Sequence, residues 1–348
     1  MSARAGELER WLAQPLLWRE PCHDALVRMG AAGVAASLEV EGDRRFAEKT
    51  ERMQARIGEA GVDQALYEGL LEALGYGGNA GAMLALARIL PWSVLAAGVG
   101  VGGGDEGLVV PPGTRSLRHL EPSLPGPAVP LSHVRESREI RGVAMLLGSA
   151  GLLPSQRGHD GPLDTYVQDL EREFGQRSLP SLSPSLWKLW GVRPENTPAR
   201  RIAGAAALLR SLFLPGAIGQ LAAARTVNEA ISPLIARASG YWLRHYDVYA
   251  GPCRLPPAFI GRSRALEILT NVVLPAAAAS GDIGLSSRAQ TLFAALPRPA
   301  SYGQTRFIEA ALASKGIRIP INARRAQGML ALNRDWCTQG GCGRCPLS

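Results

Sequence analysis

The apolar positions of this chain recur mainly at helical spacing. Leu66, Leu70 and Leu74 share one face of a helix predicted over Asp63–Leu74, and Gly75 then supplies a stop. Period-two alternation of β-branched residues never extends beyond about four positions, so strand signals are scarce. We therefore expect an all-α, multi-helix protein with at most a minor sheet. The same pattern predicts helices over Arg44–Ile57, Met83–Leu90, Ser132–Leu147, Asp164–Phe174, Ala199–Leu212, Ala217–Leu234, Arg264–Ala278, Ser287–Leu296 and Ala323–Trp336.

A segment rich in glycine and proline interrupts the helical pattern between residues 98 and 130. It contains Gly102-Gly103-Gly104 and Pro125-Gly126-Pro127, which cannot hold a helix. We predict an N-terminal helical lobe over residues 1–97, a linker or loop over 98–130, and a C-terminal helical lobe over 131–348. One continuous helical domain with 98–130 as a surface loop is the alternative.

Composition narrows the class of protein. The 348 residues are 46% hydrophobic, which is enough for a sizeable core. The first residues lack the apolar segment of a secretory signal, and proline and glycine interrupt the apolar stretches 89–104 and 268–281. Five cysteines in so long a chain do not make a disulfide scaffold. We expect a bacterial protein of the reducing cytoplasm, without a membrane span.

The net charge is +8, and only three of the 38 basic residues are lysine. Arginine presents paired donors to phosphate, so this balance favours contact with a polyanion such as nucleic acid. A chain from a GC-rich genome with ordinary solvated basic faces would show the same skew. Charge alone leaves both interpretations open.

The last residues carry the sharpest chemistry in the chain. Cys337, Cys342 and Cys345 follow the spacing C-x4-C-x2-C, with glycines between them that allow the backbone to curl. Thiolates this close repel one another unless a cation is shared, so we predict a zinc ion or an iron–sulfur cluster. Cys22, Cys253 or His245 would supply the fourth ligand. A frayed tail with unligated thiols is the alternative.

Arginines flank two predicted helix starts. Arg193, Arg200 and Arg201 surround the start at Thr197-Pro198, and Arg262 and Arg264 surround the start at Ser263. Free N–H groups and the helix dipole favour negative charge at such positions, so these arginines are candidate anion-binding or nucleic-acid-binding residues. The alternative is a structural role, in which Arg193 and Arg201 pair with carboxylates such as Glu195.

Tyr241-Trp242-Leu243-Arg244-His245-Tyr246 is the densest aromatic cluster of the sequence. Such rings can stack on bases beside arginine, although an equivalent cluster often only packs in a core. Sequence motifs of serine hydrolases, HExxH metalloproteases, P-loop proteins and dinucleotide-binding proteins are missing. The catalytic residues therefore stay unassigned.

Several stretches in order resemble one bacterial family, domain of unknown function 2851. The matching pieces are Pro21-Cys22, Ala65–Leu70, Leu74–Tyr76, Asn79, Leu147–Leu153, Trp187-Lys188, Arg193–Pro198, Arg201, Tyr241-Trp242, His245-Tyr246, Asn271–Pro275 and the tail cysteines. The resemblance implies Cys22 as the fourth ligand, because the family shares its Pro-Cys pair. It also implies a possible functional cluster of Trp242, His245, Tyr246, Asn196 and Asn271.

Longer members of that family resemble metal-dependent nucleases in a strand-rich N-terminal module, which this chain is expected to lack. The resemblance therefore implies a helical, cysteine-bearing portion that acts beside a separate nuclease-like subunit. Three functions follow as hypotheses. They are a nucleic-acid-associated module with a structural metal, a metal-cluster protein in which the cluster is the redox or catalytic centre, and a scaffold for another subunit.

Overall fold

A computed structural model describes residues 20–75, 78–100, 131–212, 224–341 and 343–348. The chain divides into two compact units. The terminal unit consists of residues 1–55 with 274–348, and the central unit consists of residues 56–273. Residues 101–130 of the predicted linker lie outside the described residues, so the division of the chain at 98–130 stays a prediction.

The all-α prediction is confirmed. Strand pairing in the described part of the chain is limited to β1 (Ala236–Arg237) and β2 (Ala258–Ile260), which are antiparallel. The helices are α1 (Glu20–Ala60), α2 (Val62–Leu74), α3 (Ala80–Ile89), α4 (Trp92–Val99), α5 (Leu131–Ser149), α6 (Thr165–Gly175), α7 (Pro198–Leu212), α8 (Val227–Ile231), α9 (Arg262–Ile268), α10 (Leu274–Ala278), α11 (Ile283–Ala295), α12 (Arg306–Ser314) and α13 (Ala323–Asp335).

Two predicted helices differ from the structure. The helix predicted over Ala217–Leu234 is wrong at residues 224–226, which are not helical, and α8 begins only after Thr226. Thr226 accepts a hydrogen bond from the Glu229 N–H, so a capping side chain sets this start. The helix predicted over Arg264–Ala278 contains a π-helical segment at Leu269–Val273.

The core of the terminal unit lies between the first half of α1 and the last helices. Leu26, Val34 and Leu38 of α1 are fully buried against Met329 and Leu332 of α13. Farther along α1, Phe46 stacks on Phe293 of α11 with ring centroids 4.6 Å apart. The burial of these side chains is the main source of stability in this unit.

Glycines allow α1 and α13 to approach each other closely. A Cβ atom at Gly328 would lie 2.0 Å from the Leu38 carbonyl oxygen, and one at Gly42 would lie 2.1 Å from the Arg324 carbonyl oxygen. The two contacts run in opposite directions along the chain, so the helices cross antiparallel. Gly30 has a different role, because its φ of 63° breaks the helical path near the start of α1.

The central unit is built around α5 and α7. Apolar side chains of α5 from Val143 to Leu147 are buried, and α5 packs against α4, α6 and α7. The second half of the unit has little regular structure between α8 and α9. Buried polar side chains, rather than helical periodicity, position that segment.

Among the described residues, no single helix has the length and apolar character needed to cross a bilayer. The helices α3 and α4, bent by 68° at their junction, meet the length and composition criteria only as a pair.

Candidate functional site

The cysteine tail folds as a series of tight turns after α13. Cys337–Gln339 form a short 3₁₀ helix, and Gly340 follows with a φ of 66°. The Gly341 N–H donates to the Trp336 carbonyl oxygen at 2.8 Å, and Gly343 has a φ of 85°. Positive φ values favour glycine, so the sequence of this tail matches its backbone.

Gly341 also permits close packing. A Cβ atom at this position would lie 2.9 Å from Cε3 of the Trp336 ring. The tail therefore curls back over the last residue of the helical region instead of extending away from it.

The end of the tail is anchored in the core of the terminal unit. Cys345 and Leu347 are 9% and 2% exposed, in a cluster that includes Leu26 and Leu38 of α1. Ser348 Oγ lies 3.5 Å from Cys345 Sγ, a distance at which it donates a weak hydrogen bond to sulfur. Packing thus brings the C-terminus against the beginning of α1.

The predicted ligand set is only partly described. Cys337 is half-buried and Cys345 is buried, whereas residue 342 lies outside the described residues and only the helical backbone is described at Cys22. Within the part of the chain that the structure describes, no three His, Cys, Asp or Glu side chains are grouped to hold a metal ion. The alternative ligands Cys253 and His245 belong to the central unit. The ligand assignment stays a prediction.

Arg200 and Arg201 lie inside the central unit. Arg200 is 1% exposed and donates to the carbonyl oxygens of Trp242, His245 (3.1 Å) and Pro256 (2.7 Å). Its guanidinium also lies over the Phe259 ring, 5.1 Å from the centroid. A single buried cation thus holds three carbonyl groups of an irregular segment in place.

Arg201 acts in a similar way. It donates to the Phe259 carbonyl oxygen at 2.5 Å and to Oδ1 of Asn196. Burial lowers the pKa of Arg200 and lowers that of Arg201 to about 10. The start of α7 is tied to the same segment, because Thr197 Oγ1 lies 2.5 Å from the Tyr246 carbonyl oxygen.

The remaining candidate arginines are more accessible. Arg193 and Arg262 are exposed, and Arg262 donates to Oδ1 of Asn228 at 2.5 Å. Arg264 is half-buried and donates to the Ala73 carbonyl oxygen at 3.4 Å. An anion-binding role for the five arginines stays a prediction, and the described contacts of Arg200 and Arg201 are with protein groups.

The predicted aromatic cluster forms a stack of rings on a short 3₁₀ helix, Gly240–Leu243. Tyr241 lies between Tyr166 and His245, with ring centroids 5.0 and 3.9 Å away. Trp242 is 2% exposed, and its indole N–H donates to the Tyr166 hydroxyl at 2.8 Å. Tyr241 and His245 are half-buried, so the outer part of the stack is accessible while its tryptophan belongs to the core.

A second group of side chains continues from this stack. Arg157 donates to both carboxylate oxygens of Asp247, at 3.2 and 3.0 Å, and lies over the Tyr249 ring at 4.2 Å. The His159 imidazole stacks on the same Tyr249 ring, with centroids 5.3 Å apart. Burial raises the pKa of Asp247 and outweighs the opposite effect of Arg157. Tyr249 remains 40% exposed.

Sequence reasoning missed Arg157, Tyr166, Asp247 and Tyr249 as members of this site. Tyr166 and Arg157 are far in sequence from the ring cluster, and no local motif links them to it. Of the functional cluster that the resemblance implied, Asn196, Trp242, His245 and Tyr246 meet around the two buried arginines. Asn271 lies in the π-helical segment and donates to Glu267.

The family comparison covers the central part of the chain. The family model described as "Protein of unknown function (DUF2851)" matches residues 123–296, which is half of the chain. The match includes the buried arginines and the aromatic stack, whereas the cysteine tail and Cys22 lie outside it. No curated protein and no solved structure is significantly similar to the chain. The chain belongs to the DUF2851 family of proteins of unknown function.

Proposed function

We propose that this chain is a helical module that associates with nucleic acid and whose tail is fixed to α1 by a cysteine-ligated metal. The observation that carries the proposal is the burial of Cys345 in a core shared with Leu26. Position 22 lies one helical turn before Leu26, on the same face of α1. Cys22, Cys337, Cys342 and Cys345 are the proposed ligands of zinc or an iron–sulfur cluster.

A bound metal would stabilise the contact between the beginning of α1 and the cysteine tail. Residues 22 and 345 close a loop of nearly the whole chain, and closing so long a loop costs conformational entropy. Metal–thiolate bonds that form only in the folded state would offset this cost. The buried Leu347 and the ordered glycine turns support a tail that is held, rather than frayed.

Stoichiometric metal is expected in protein purified without chelator and without oxygen. Chelation should lower the melting temperature of the wild type by several degrees, because the metal bonds stabilise only the folded chain. Cys22→Ser and Cys345→Ser should lose the metal and should no longer respond to chelator. Elemental analysis and thermal denaturation measure both effects.

Cys253→Ser is the matched control, because Cys253 belongs to the central unit. This variant should leave the metal content unchanged. Comparing each variant with and without chelator separates loss of metal from loss of packing at the buried Cys345. A Cys253→Ser variant without metal, or a Cys22→Ser variant that retains it, would show that the ligand assignment is wrong.

The absorbance of the anaerobic protein distinguishes the two kinds of metal centre. A broad absorbance band at about 400 nm identifies an iron–sulfur cluster. This result would favour the hypothesis that the cluster is a redox or catalytic centre. A colourless protein with one zinc per chain favours a structural role.

Nucleic-acid association is supported by the net charge of +8 and by the accessible rings of the central unit. Tyr249 presents a ring that is 40% exposed, flanked by the Arg157 guanidinium and the His159 imidazole. Aromatic rings beside arginine are typical stacking platforms for unpaired bases. The family resemblance adds a separate nuclease-like subunit as the proposed partner, which co-purification tests.

Single-stranded DNA or RNA should bind with an affinity that falls as salt rises, because phosphate contacts release counterions. Tyr249→Ala should weaken this binding by about tenfold through the loss of an exposed aromatic contact beside Arg157 and His159. Filter binding over a salt series measures both the slope and the loss.

Leu243→Ala is the control for the stacking prediction, because Leu243 is also exposed (45%) and lies beside the ring cluster without being aromatic. It should leave the affinity unchanged. If neither DNA nor RNA binds at low salt, the nucleic-acid part of the proposal is wrong. The metal part is tested separately, by metal analysis and thermal denaturation.

A further inference from the structure

The turn between Lys188 and Arg193 in the central unit presents a tryptophan to solvent. Trp190 is 88% exposed, whereas Trp187, three residues earlier, is 5% exposed and donates its indole N–H to the Ala150 carbonyl oxygen at 2.7 Å. Tryptophan is on average highly buried in folded proteins, because its large ring gains much from leaving water. The fold therefore uses Trp187 for packing and leaves the Trp190 ring accessible to another molecule.

A buried asparagine holds the part of the turn that precedes Trp190. Asn79 is 2% exposed, its side-chain amide donates to the Lys188 carbonyl oxygen at 3.0 Å, and its side-chain oxygen accepts from the Lys188 N–H at 2.7 Å. One side chain thus satisfies both backbone groups of Lys188. Gly191, directly after Trp190, has a φ of 70°, so the chain reverses at this pair of residues.

The part of the turn that follows Trp190 is held as well. The Asn196 N–H donates to the Arg193 carbonyl oxygen at 2.8 Å, and Oδ1 of Asn196 accepts from the buried Arg201. The exposed indole is therefore carried by a backbone that is fixed at both ends. Little conformational entropy is lost when such a side chain contacts a ligand.

The charges beside the exposed indole are positive. Lys188 and Arg193 are both exposed, and neither forms an ion pair within the described part of the chain. Glu195, a neighbouring carboxylate, is half-buried. Burial lowers the pKa of Arg200 and Arg201, and Glu195 acts in the opposite direction on both. The negative charge of this carboxylate is therefore directed to the buried arginines of α7.

The sequence around the turn is strongly basic. Residues 175–266 contain twelve basic and three acidic residues, so their net charge is +9, compared with +8 for the whole chain. Two of the three acids have partners in the fold, since Asp247 accepts from Arg157, and Glu229 accepts from the Arg225 N–H at 2.7 Å. This concentration of positive charge favours a polyanion as the ligand.

We propose that the turn 188–193 contacts single-stranded nucleic acid, with the Trp190 indole stacked on an unpaired base and Lys188 and Arg193 beside the phosphates. This inference rests on the nucleic-acid association proposed above and adds a second contact to the one at Tyr249. The contact needs an unpaired base, because the ring faces of paired bases are covered by their neighbours in a duplex. An apolar groove of a protein would accept the indole but would leave both cations without an anion.

Titration with a single-stranded oligothymidylate tests the stacking contact. Trp190→Ala should weaken binding by about tenfold, because one stacked base is lost. Trp190→Phe keeps an aromatic ring and should retain most of the affinity. Leu186→Ala is the matched control, since Leu186 is also exposed (54%) and lies in the same segment without being aromatic. It should leave the affinity unchanged.

The salt dependence of binding tests the two cations. Lys188→Gln and Arg193→Gln should each reduce the slope of log affinity against log salt by about 0.7, the value for one phosphate contact on a single strand. Lys315→Gln is the control, because it removes an exposed lysine of the terminal unit, and it should leave the slope unchanged.

A duplex of oligothymidylate with oligoadenylate separates base stacking from general attraction to phosphate. The duplex should bind more weakly than the single strand, and Trp190→Ala should not weaken duplex binding further. An equal loss for single strand and duplex would overturn the stacking contact.

The remaining outcomes separate this inference from the proposed function. If the wild type and Trp190→Ala bind oligothymidylate equally well, the inference is wrong and the nucleic-acid association stands. Loss of a co-purifying protein from Trp190→Ala, with unchanged oligonucleotide affinity, would assign the turn to a protein partner and also overturn the inference. If the wild type binds no nucleic acid, both proposals are wrong.

Discussion

Arg200→Met is expected to destabilise the chain by about 3–6 kcal/mol, because it removes the charged donor that three carbonyl groups share, of which that of Trp242 is buried. Methionine fills most of the volume of the arginine stem, so the loss reports hydrogen bonding more than packing. The carbonyls belong to Trp242, His245 and Pro256, all in the irregular segment before β2. Urea denaturation followed by circular dichroism measures the change.

Two further variants serve as controls for the Arg200→Met result. Arg193→Met removes an exposed arginine five residues before the start of α7 and should change the free energy of unfolding by less than about 0.5 kcal/mol. Arg200→Lys keeps the charge but has fewer donors and no planar guanidinium. The loss of stability in this variant should therefore approach that in Arg200→Met. A loss below about 1 kcal/mol for Arg200→Met would mean that water replaces the guanidinium at these carbonyls.

Local signals were sufficient to predict many helices. The helix predicted over Asp63–Leu74 is Val62–Leu74 in the structure, because leucine spacing and Gly75 define it locally. The helix predicted over Asp164–Phe174 is Thr165–Gly175 in the structure, and Asp164 caps it by accepting from the Tyr166 N–H. Where apolar periodicity and a cap coincide, the sequence contains the information that sets the element.

Other elements depend on contacts that a local pattern does not reveal. The first half of α1 has glycines at 30 and 33 and few regular apolar positions, and it was not predicted, yet it forms a core with α13. The π-helical segment Leu269–Val273 precedes Pro275, whose missing N–H cannot continue an α-helical ladder. Both features follow from tertiary packing and local backbone chemistry together.

The same limit explains what could be predicted about the sites. The cysteine spacing was visible because its ligands are neighbours in sequence, whereas the acceptors of Arg200 are more than forty residues away. Helix-start arginines looked like anion ligands because sequence shows the donors but not the acceptors. Arg45 and Lys49 both donate to the side-chain oxygen of Gln327, about 280 positions away, so no sequence motif could indicate this contact.

Gly328→Ala should destabilise the terminal unit by about 2–3 kcal/mol, since its new methyl group would overlap the Leu38 carbonyl of α1. In an isolated helix the same change would be favourable by up to about 1 kcal/mol, because alanine has the higher helix propensity. Gly58→Ala is the matched control, for Gly58 lies in α1 with no atom near its missing Cβ, and it should be neutral or stabilising.

Thermal and urea denaturation of the two alanine variants decide whether α1 and α13 are in backbone contact. The predicted signs are opposite, so an error in the magnitude of either value does not change the conclusion. A Gly328→Ala variant that is as stable as the wild type would contradict the close crossing, and with it the geometry that brings Arg45 and Lys49 to Gln327.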